Sequence, residues 1–385
     1  MLRKYAKKAQ QLLTKNSYRP LNRVELRATA MVDNLDVVRA QHPGFEIMPV
    51  LKSNAYGHGL PKVAEILNRT RCRFLVVDGY FEAMQIRDIT NHQILVLGYI
   101  LPENVPLLDT KRCSFVVQDI AGLKAFGSRR VPVKVHIELN TGFNRLGLQP
   151  EELSGYLDTL KSYPNLELEG VMTHLVDADN PQDDSFDERQ RELFDRFVAE
   201  ILAAGFHPTI VHMAQTAGSP KIRSKYANSI RLGIGTYGIN PLSPQDPMHS
   251  QLANLQPVLE LKSTIIKVLE LKVGETVSYN ATFTATKPMR IGVLPLGYYE
   301  GVPRELSNVG SVSSQDTPLP IIGRVCMNHT MVDLGQSGLG VGDDVTVINN
   351  DPAMPNSVIS LQRMHGLFAY TTLTGISSSV HRVIV

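Results

Sequence analysis

Eight short runs rich in valine, isoleucine and leucine recur between residues 46 and 232, at 46–51, 74–78, 94–97, 115–118, 133–139, 168–173, 210–213 and 229–232. They are mostly continuous rather than alternating, which is how parallel strands buried on both faces read. Amphipathic stretches such as 60–68, 80–86 and 187–204 lie between them. Eight such units predict an α/β chain built as a closed (β/α)8 TIM barrel.

The pattern changes after about residue 250. Helical periodicity fades, and strand-like pieces at 260–268, 289–295, 319–325, 331–334, 344–348 and 380–385 are separated by glycine turns. This predicts a mainly β C-terminal domain. A further strand at 23–29 precedes the barrel and is a candidate to pair with that second domain. The expected division is an N-terminal extension over 1–22, a barrel over 23–250 and a mainly β domain over 251–385. Residues 1–20 are basic and amphipathic and read as a peripheral helix. They lack the unbroken apolar core and small-residue cleavage site of a secretory signal.

At 385 residues the chain is too long for one ordinary core. Its net charge of +2 gives no hint of a nucleic-acid or membrane partner. No apolar run is long enough to span a bilayer. Cys72, Cys113 and Cys326 are scattered and odd in number. That argues for a reducing, cytoplasmic compartment, and against a disulfide framework or a metal site.

Barrels place chemistry at the carboxyl ends of their strands. The first run stops at Lys52, inside Pro49-Val50-Leu51-Lys52-Ser53-Asn54-Ala55-Tyr56-Gly57-His58-Gly59. An amine leaving an apolar strand is partly desolvated and suited to a Schiff base. The fifth run leads to Asn140-Thr141-Gly142-Phe143-Asn144-Arg145, the sixth to Thr173-His174 and the seventh to Ala214-Gln215-Thr216-Ala217-Gly218. The eighth carries Arg231 and then Gly233-Ile234-Gly235. Alone, His174 reads as a core histidine and Arg231 as an ion-pair partner. Together, a lysine, two arginines, a histidine and two loops able to cup a phosphate point to pyridoxal phosphate. Gly233-Ile234-Gly235-Thr236-Tyr237-Gly238 also matches the dinucleotide pattern G-x-G-x-x-G. That pattern needs a helix after it, and Pro241, Pro244 and Pro247 forbid one.

These residues, with Gly170-Val171-Met172-Thr173-His174, Val277-Ser278-Tyr279, Gly297-Tyr298, Arg324-Val325-Cys326-Met327 and the tail around Tyr370 and Arg382, carry a likeness. The chain resembles the alanine racemases, pyridoxal-phosphate enzymes of the barrel-type (fold type III) class, over nearly its whole length after the first ~20 residues. The resemblance implies a cytoplasmic homodimer with shared active sites that interconverts L- and D-alanine, an isomerase supplying D-alanine for peptidoglycan. Lys52 matches the cofactor-bearing lysine and one catalytic base. Tyr279 matches the opposing base, delivered by the partner subunit's second domain. Arg231 matches the arginine at the pyridine nitrogen, and His174 the histidine linking it to the catalytic tyrosine. Tyr56, Thr216, Gly233, Ile234 and Tyr370 match the phosphate-binding set. Arg145 and the backbone amide of Met327 match the substrate-carboxylate groups, and Tyr298 an aromatic at the entrance.

Racemisation takes a proton from one face and returns one to the other, so two opposed bases are needed. An amine and a phenol both titrate near about 10 in water, so burial or neighbouring cations must tune each for neutral pH. An arginine at the ring nitrogen cannot take its proton, which weakens the electron sink and limits side reactions. Some positions differ from the family pattern. Glu138 stands where relatives carry a carbamylated lysine, which predicts that it orients Arg145. Ser53, Asn140, Gln215-Thr216 and Asn328 are further changes, and Phe143 narrows the pocket toward a small substrate. These changes surround the substrate side, so a racemase for serine or a broader set of amino acids is the alternative. A barrel-type decarboxylase is a more distant one, and a non-enzymatic pyridoxal carrier would lack the second domain.

Overall fold

The computed structural model describes residues 18–385, so the peripheral helix expected over 1–20 lies almost entirely outside the described residues. The chain forms two compact units. One comprises Arg27–Val258 with Ile384–Val385, and the other the described residues through Leu26 together with Leu259–Val383.

After strand β1 (Asn22–Leu26) come eight parallel strands: β2 (Glu46–Pro49), β3 (Phe74–Val77), β4 (Gln93–Val96), β5 (Cys113–Val117), β6 (Val133–Glu138), β7 (Leu166–Met172), β8 (Ile210–His212) and β9 (Ser229–Leu232). Their order, β2-β9-β8-β7-β6-β5-β4-β3, closes through a parallel bridge between Val50 and Val76. This is the eight-stranded barrel that the apolar runs predict. β3, β5, β8 and β9 are buried at every position, as strands flanked by helices outside and side chains within must be. The barrel axis is not wholly apolar. His136 and Glu169 are buried there at mid-strand positions, and His212 at the last residue of β8. A Cβ on Gly170 would stand 2.2 Å from Nδ1 of His136, so a residue without a side chain makes room for that ring.

In the other unit, β10 (Leu259–Thr264) pairs antiparallel with β1. The remaining strands are β11 (Lys267–Leu271), β12 (Thr276–Val277), β13 (Phe283–Thr284), β14 (Met289–Leu294), β15 (Ser311–Ser314), β16 (Thr317–Pro320), β17 (Thr330–Asp333), β18 (Asp344–Ile348) and β19 (His381–Ile384). A six-stranded sheet runs β16-β15-β18-β10-β1-β19, and a three-stranded sheet runs β11-β14-β17. The single strand expected over 260–268 is therefore two. At the corner the Ile265 amide bonds to Asp343 O (2.9 Å) and the Ile266 amide to Val293 O (2.9 Å), so the chain leaves one sheet for the other. Two short helices, Val358–His365 and Ala369–Thr374, were also not expected.

Candidate active site

Lys52 follows β2 at the barrel's carboxyl rim, and the chain beyond it turns left-handed. Ser53, Asn54, Ala55 and Tyr56 have φ of 57°, 54°, 54° and 51°. A left-handed conformation costs roughly 1–2 kcal/mol per non-glycine residue. Such strain persists only where the surroundings hold it, which is characteristic of functional sites. Here Ala55 N–H donates to Leu51 O (2.8 Å), and Asn54 Oδ1 accepts from Leu60 N–H (2.9 Å). The Tyr56 ring packs on Tyr237 at 5.1 Å, and the Tyr237 hydroxyl donates to Val50 O (2.8 Å).

Arg231 on β9 is buried, and both of its terminal nitrogens donate to neighbours. One terminal nitrogen reaches His212 Nδ1 (2.8 Å) and His212 O (3.0 Å), and the other reaches Thr173 O (2.7 Å) and His174 Nδ1 (3.1 Å). Burial lowers its guanidinium to about 10, with Glu138 opposing, so it stays a cation at neutral pH. The chain of contacts continues down the barrel axis. His212 Nε2 lies 2.9 Å from His136 Nδ1, and His136 Nε2 lies 3.3 Å from Glu169. Glu169 also accepts from Arg73 (2.8 Å), Lys134 (2.8 Å) and Ser114 (2.5 Å). Burial works to raise the Glu169 carboxyl, but the bonds from His136, Lys134 and Ser114 hold it at about 2.

His174, at the end of β7, is pushed down to about 3 by burial and then by the charges of Arg231, Arg145 and Lys52. It is a neutral imidazole whose Nδ1 accepts from Arg231, which leaves the proton on Nε2. Phe143 and His174 meet edge to face at 5.2 Å, and the Arg145 guanidinium lies over the Phe143 ring at 4.3 Å. Glu138 is buried; burial raises its carboxyl, and the charges of Arg231 and Arg145 oppose that rise. No ion pair joins Glu138 to Arg145 among the described residues, so the aromatic face, not Glu138, is what Arg145 touches directly.

Thr216 braces the loop at Gly233 and Gly235. Its buried hydroxyl oxygen accepts from the amides of Gly233 and Gly235, both at 3.1 Å, which leaves its own proton to donate. Ile234 is buried and opens the 3-10 turn Ile234–Tyr237, where a dinucleotide fingerprint would need an α-helix. A Cβ on Gly233 would stand 2.8 Å from the Tyr56 hydroxyl, so only glycine leaves that space open.

Lys52, Tyr56, Arg145, His174, Arg231 and Gly233 line one cavity of 340 Å³. Sequence reasoning missed that Asp78, Tyr99 and Gln215 line it too. Asp78 and Tyr99 follow β3 and β4, so the strand-end rule would have found them. Tyr279, Tyr298, Met327 and Tyr370 belong to the mainly β unit. Tyr279 is exposed beside the β12–β13 hairpin, where the preceding Ser278 donates to Arg324 O (2.7 Å). Tyr298 N–H donates to Cys326 O (3.0 Å), and the exposed Met327 follows at once. Tyr370 stacks on Phe368 at 4.9 Å, and the helix that carries it lines a 230 Å³ cavity with Tyr298.

Residues 26–241 match the N-terminal domain of alanine racemase and residues 258–384 its C-terminal domain. An alanine racemase of Limosilactobacillus fermentum is 34% identical over 88% of this chain and 91% of its own length. One from Staphylococcus carnosus is 30% identical over 95% of each chain. The crystal structure of the Bacillus anthracis alanine racemase with bound L-Ala-P superposes with a TM-score of 0.85 at 28% identity, covering 96% of each chain. Two domain matches that together take in nearly the whole chain, and relatives matched end to end, show that it belongs to the alanine racemase family of isomerases.

Proposed function

We propose that this chain interconverts L- and D-alanine with pyridoxal 5'-phosphate held on Lys52. The observation that carries the reading is the convergence of an amine, two guanidiniums and a neutral imidazole on one 340 Å³ cavity that Gly233 also lines. The residues fit the cofactor. A Cβ at Gly233 would press on the Tyr56 hydroxyl at 2.8 Å, and the Thr216 hydroxyl beside it keeps a proton to donate.

When bound, the cofactor draws electrons from the substrate's α-carbon and so loosens its proton. The protein supplies the rest. Lys52 takes or returns that proton on one face. Thr216 with Gly233 and Ile234, joined by Tyr56 and Tyr370, holds the phosphate. Arg231 would face the ring nitrogen with N–H donors only, having no lone pair to receive a proton. Arg145 and the Met327 amide take the substrate carboxylate, and Tyr298 guards the entrance.

Tyr279 is the base for the opposite face and comes from a second copy of the chain. Exposed apolar side chains beyond the carboxyl ends of the barrel strands support this: Tyr99, Leu101, Leu146 and Val176 on loops, and Phe81 on the helix Tyr80–Ile86. Such a collar calls for a cover, and the mainly β unit exposes Tyr279, Tyr298 and Met327 in return. No helix among the described residues is long and apolar enough to cross a membrane, which fits a cytoplasmic enzyme.

Exchange of the α-proton in deuterated water, with alanine and serine enantiomers side by side, tests the reading. Exchange with both alanine enantiomers is expected, and loss from one enantiomer only in Tyr279→Phe. No exchange, or carbon dioxide release, overturns it. Asp78 and Tyr99 offer polar atoms to a hydroxymethyl side chain. Faster exchange of serine would therefore select the broader racemase.

A further inference from the structure

We infer that Glu82 is a positioning residue for Lys52: its carboxylate clamps the left-handed turn that starts one residue after the lysine to the end of the neighbouring strand. The inference rests on the reading of Lys52 as the cofactor-bearing lysine.

The barrel closes between β2 and β3, and the pairing there is a single bridge, Val50 with Val76, with Leu51 N–H donating to Val76 O (2.6 Å). Beyond that bridge both chains leave backbone amides that the ladder does not use. Three of them converge on Glu82, which sits on the helix Tyr80–Ile86. Ser53 N–H donates to Oε1 (2.7 Å), while Asp78 N–H (2.9 Å) and Gly79 N–H (3.3 Å) donate to Oε2. All three partners are donors, so both ends of the side chain must accept. A carboxylate does this and an amide does not.

The bonds to Asp78 and Gly79 cap a helix, an ordinary task for a glutamate at this position. The bond to Ser53 is different in kind. It crosses the seam to the residue after Lys52 and meets the first of four consecutive non-glycine residues with φ between 51° and 57°. Without that charged acceptor, Ser53 is released to relax toward negative φ. Lys52 and Ser53 share a peptide plane, so the relaxation swings the Lys52 side chain out of its pose at the cavity.

Glu82→Gln and Glu82→Asp test the inference in the full-length apoenzyme. The shorter aspartate keeps an acceptor for the helix cap but falls short of Ser53. Two quantities are read: the dissociation constant for added pyridoxal phosphate, followed by the visible band of the cofactor on Lys52, and hydrogen exchange at the Ser53 amide. Both variants are expected to weaken cofactor binding on the order of tenfold, as loss of a charge-assisted bond does, and to speed Ser53 exchange. Ser53→Gly needs no clamp at positive φ, so adding it to Glu82→Gln is expected to restore binding to within about twofold. Unchanged affinity and exchange in Glu82→Asp, or strictly additive effects of Ser53→Gly and Glu82→Gln, would reduce Glu82 to a helix cap and overturn the inference. If the wild-type chain takes up no pyridoxal phosphate, the failure belongs to the assignment of Lys52 and is visible before any Glu82 variant is made.

Discussion

His136 and His212 meet ring to ring inside the barrel, Nδ1 of the first 2.9 Å from Nε2 of the second. Only one proton fits between those nitrogens, and the groups at either end decide which carries it. Arg231 can only donate, so His212 Nδ1 accepts and its proton sits on Nε2. That Nε2–H then donates to His136 Nδ1, and His136 Nε2–H donates to Glu169, which can only accept. Two neutral rings thus connect a cation at the active-site rim to an anion deep in the barrel, with every bond pointing the same way. Burial keeps both rings neutral, lowering His212 well below its usual range and lowering His136 also.

Glu169→Gln removes the anion that orients this chain, leaves Arg73 without its ion-pair partner and leaves Lys134 with only Glu167, at 3.8 Å. Hydrogen bonds hold the native carboxyl at about 2, against about 4.3 in an unfolded chain. Its contribution is therefore present above pH 4.3 and lost as pH falls through about 2. The variant is expected to lose about 3 kcal/mol at pH 7 in urea unfolding. The gap from wild type should narrow steadily as the medium is taken below pH 4. A constant gap across that range would refute the account.

Three histidines make a separate prediction about acid. His136, His174 and His212 all have native pKa values below the ordinary histidine value, chiefly through burial. The unfolded chain therefore binds more protons than the native one once pH drops below about 6.5. Stability is present above that pH and falls as pH drops below it, each histidine adding a slope of up to about 1.4 kcal/mol per pH unit. Urea midpoints of the apoenzyme at pH 7, 6 and 5 should fall with a steepening slope. His174→Phe, which cannot take up a proton, should flatten it.

Much of this was legible before any coordinates. The barrel strands read correctly because each is buried on both faces, so apolar residues run on without alternation. Lys52, Thr216 and Arg231 stood out as candidates because each is a polar residue within or just beyond such an apolar run. His136, His212 and Glu169 were not found, because they lie within strands and face the axis, where one polar residue looks like noise in an apolar segment. The corner at 265–266 was hidden for a related reason. Ile265 and Ile266 keep the apolar signal going through the sheet switch. The left-handed turn after Lys52 carried no signal either, since none of residues 53–56 is glycine.

Thr216→Val keeps the side-chain volume but deletes the oxygen that two amides share. Gly233 and Gly235 would then hold buried N–H groups with no acceptor from that side chain. An unmade buried bond costs about 1–3 kcal/mol. Thermal unfolding of the apoenzyme should show the loss, and cofactor affinity should fall with it because the donating hydroxyl is gone. Thr216→Ser retains the oxygen and is expected to stay close to wild type in both. A serine variant as weak as the valine one would show that the methyl group, rather than the hydroxyl, holds the loop.

Glu138→Gln addresses the balance of charge in the cavity. The wild-type carboxylate sits in the field of Arg231 and Arg145 without an ion pair to Arg145, so it partly cancels both cations at a distance. Removing it leaves two arginines uncompensated around a site that receives a carboxylate. The variant should bind small anions more tightly, so acetate is expected to inhibit it at concentrations roughly tenfold lower, about 1.4 kcal/mol. Because burial raises the Glu138 carboxyl above the ordinary glutamate value, mild acid neutralises it in the wild type as well. Acetate inhibition of the wild type should tighten as pH falls toward 5, while that of Glu138→Gln should follow only the ionisation of acetate itself. Parallel pH profiles for the two proteins would mean that Glu138 does not set the potential felt by the substrate carboxylate.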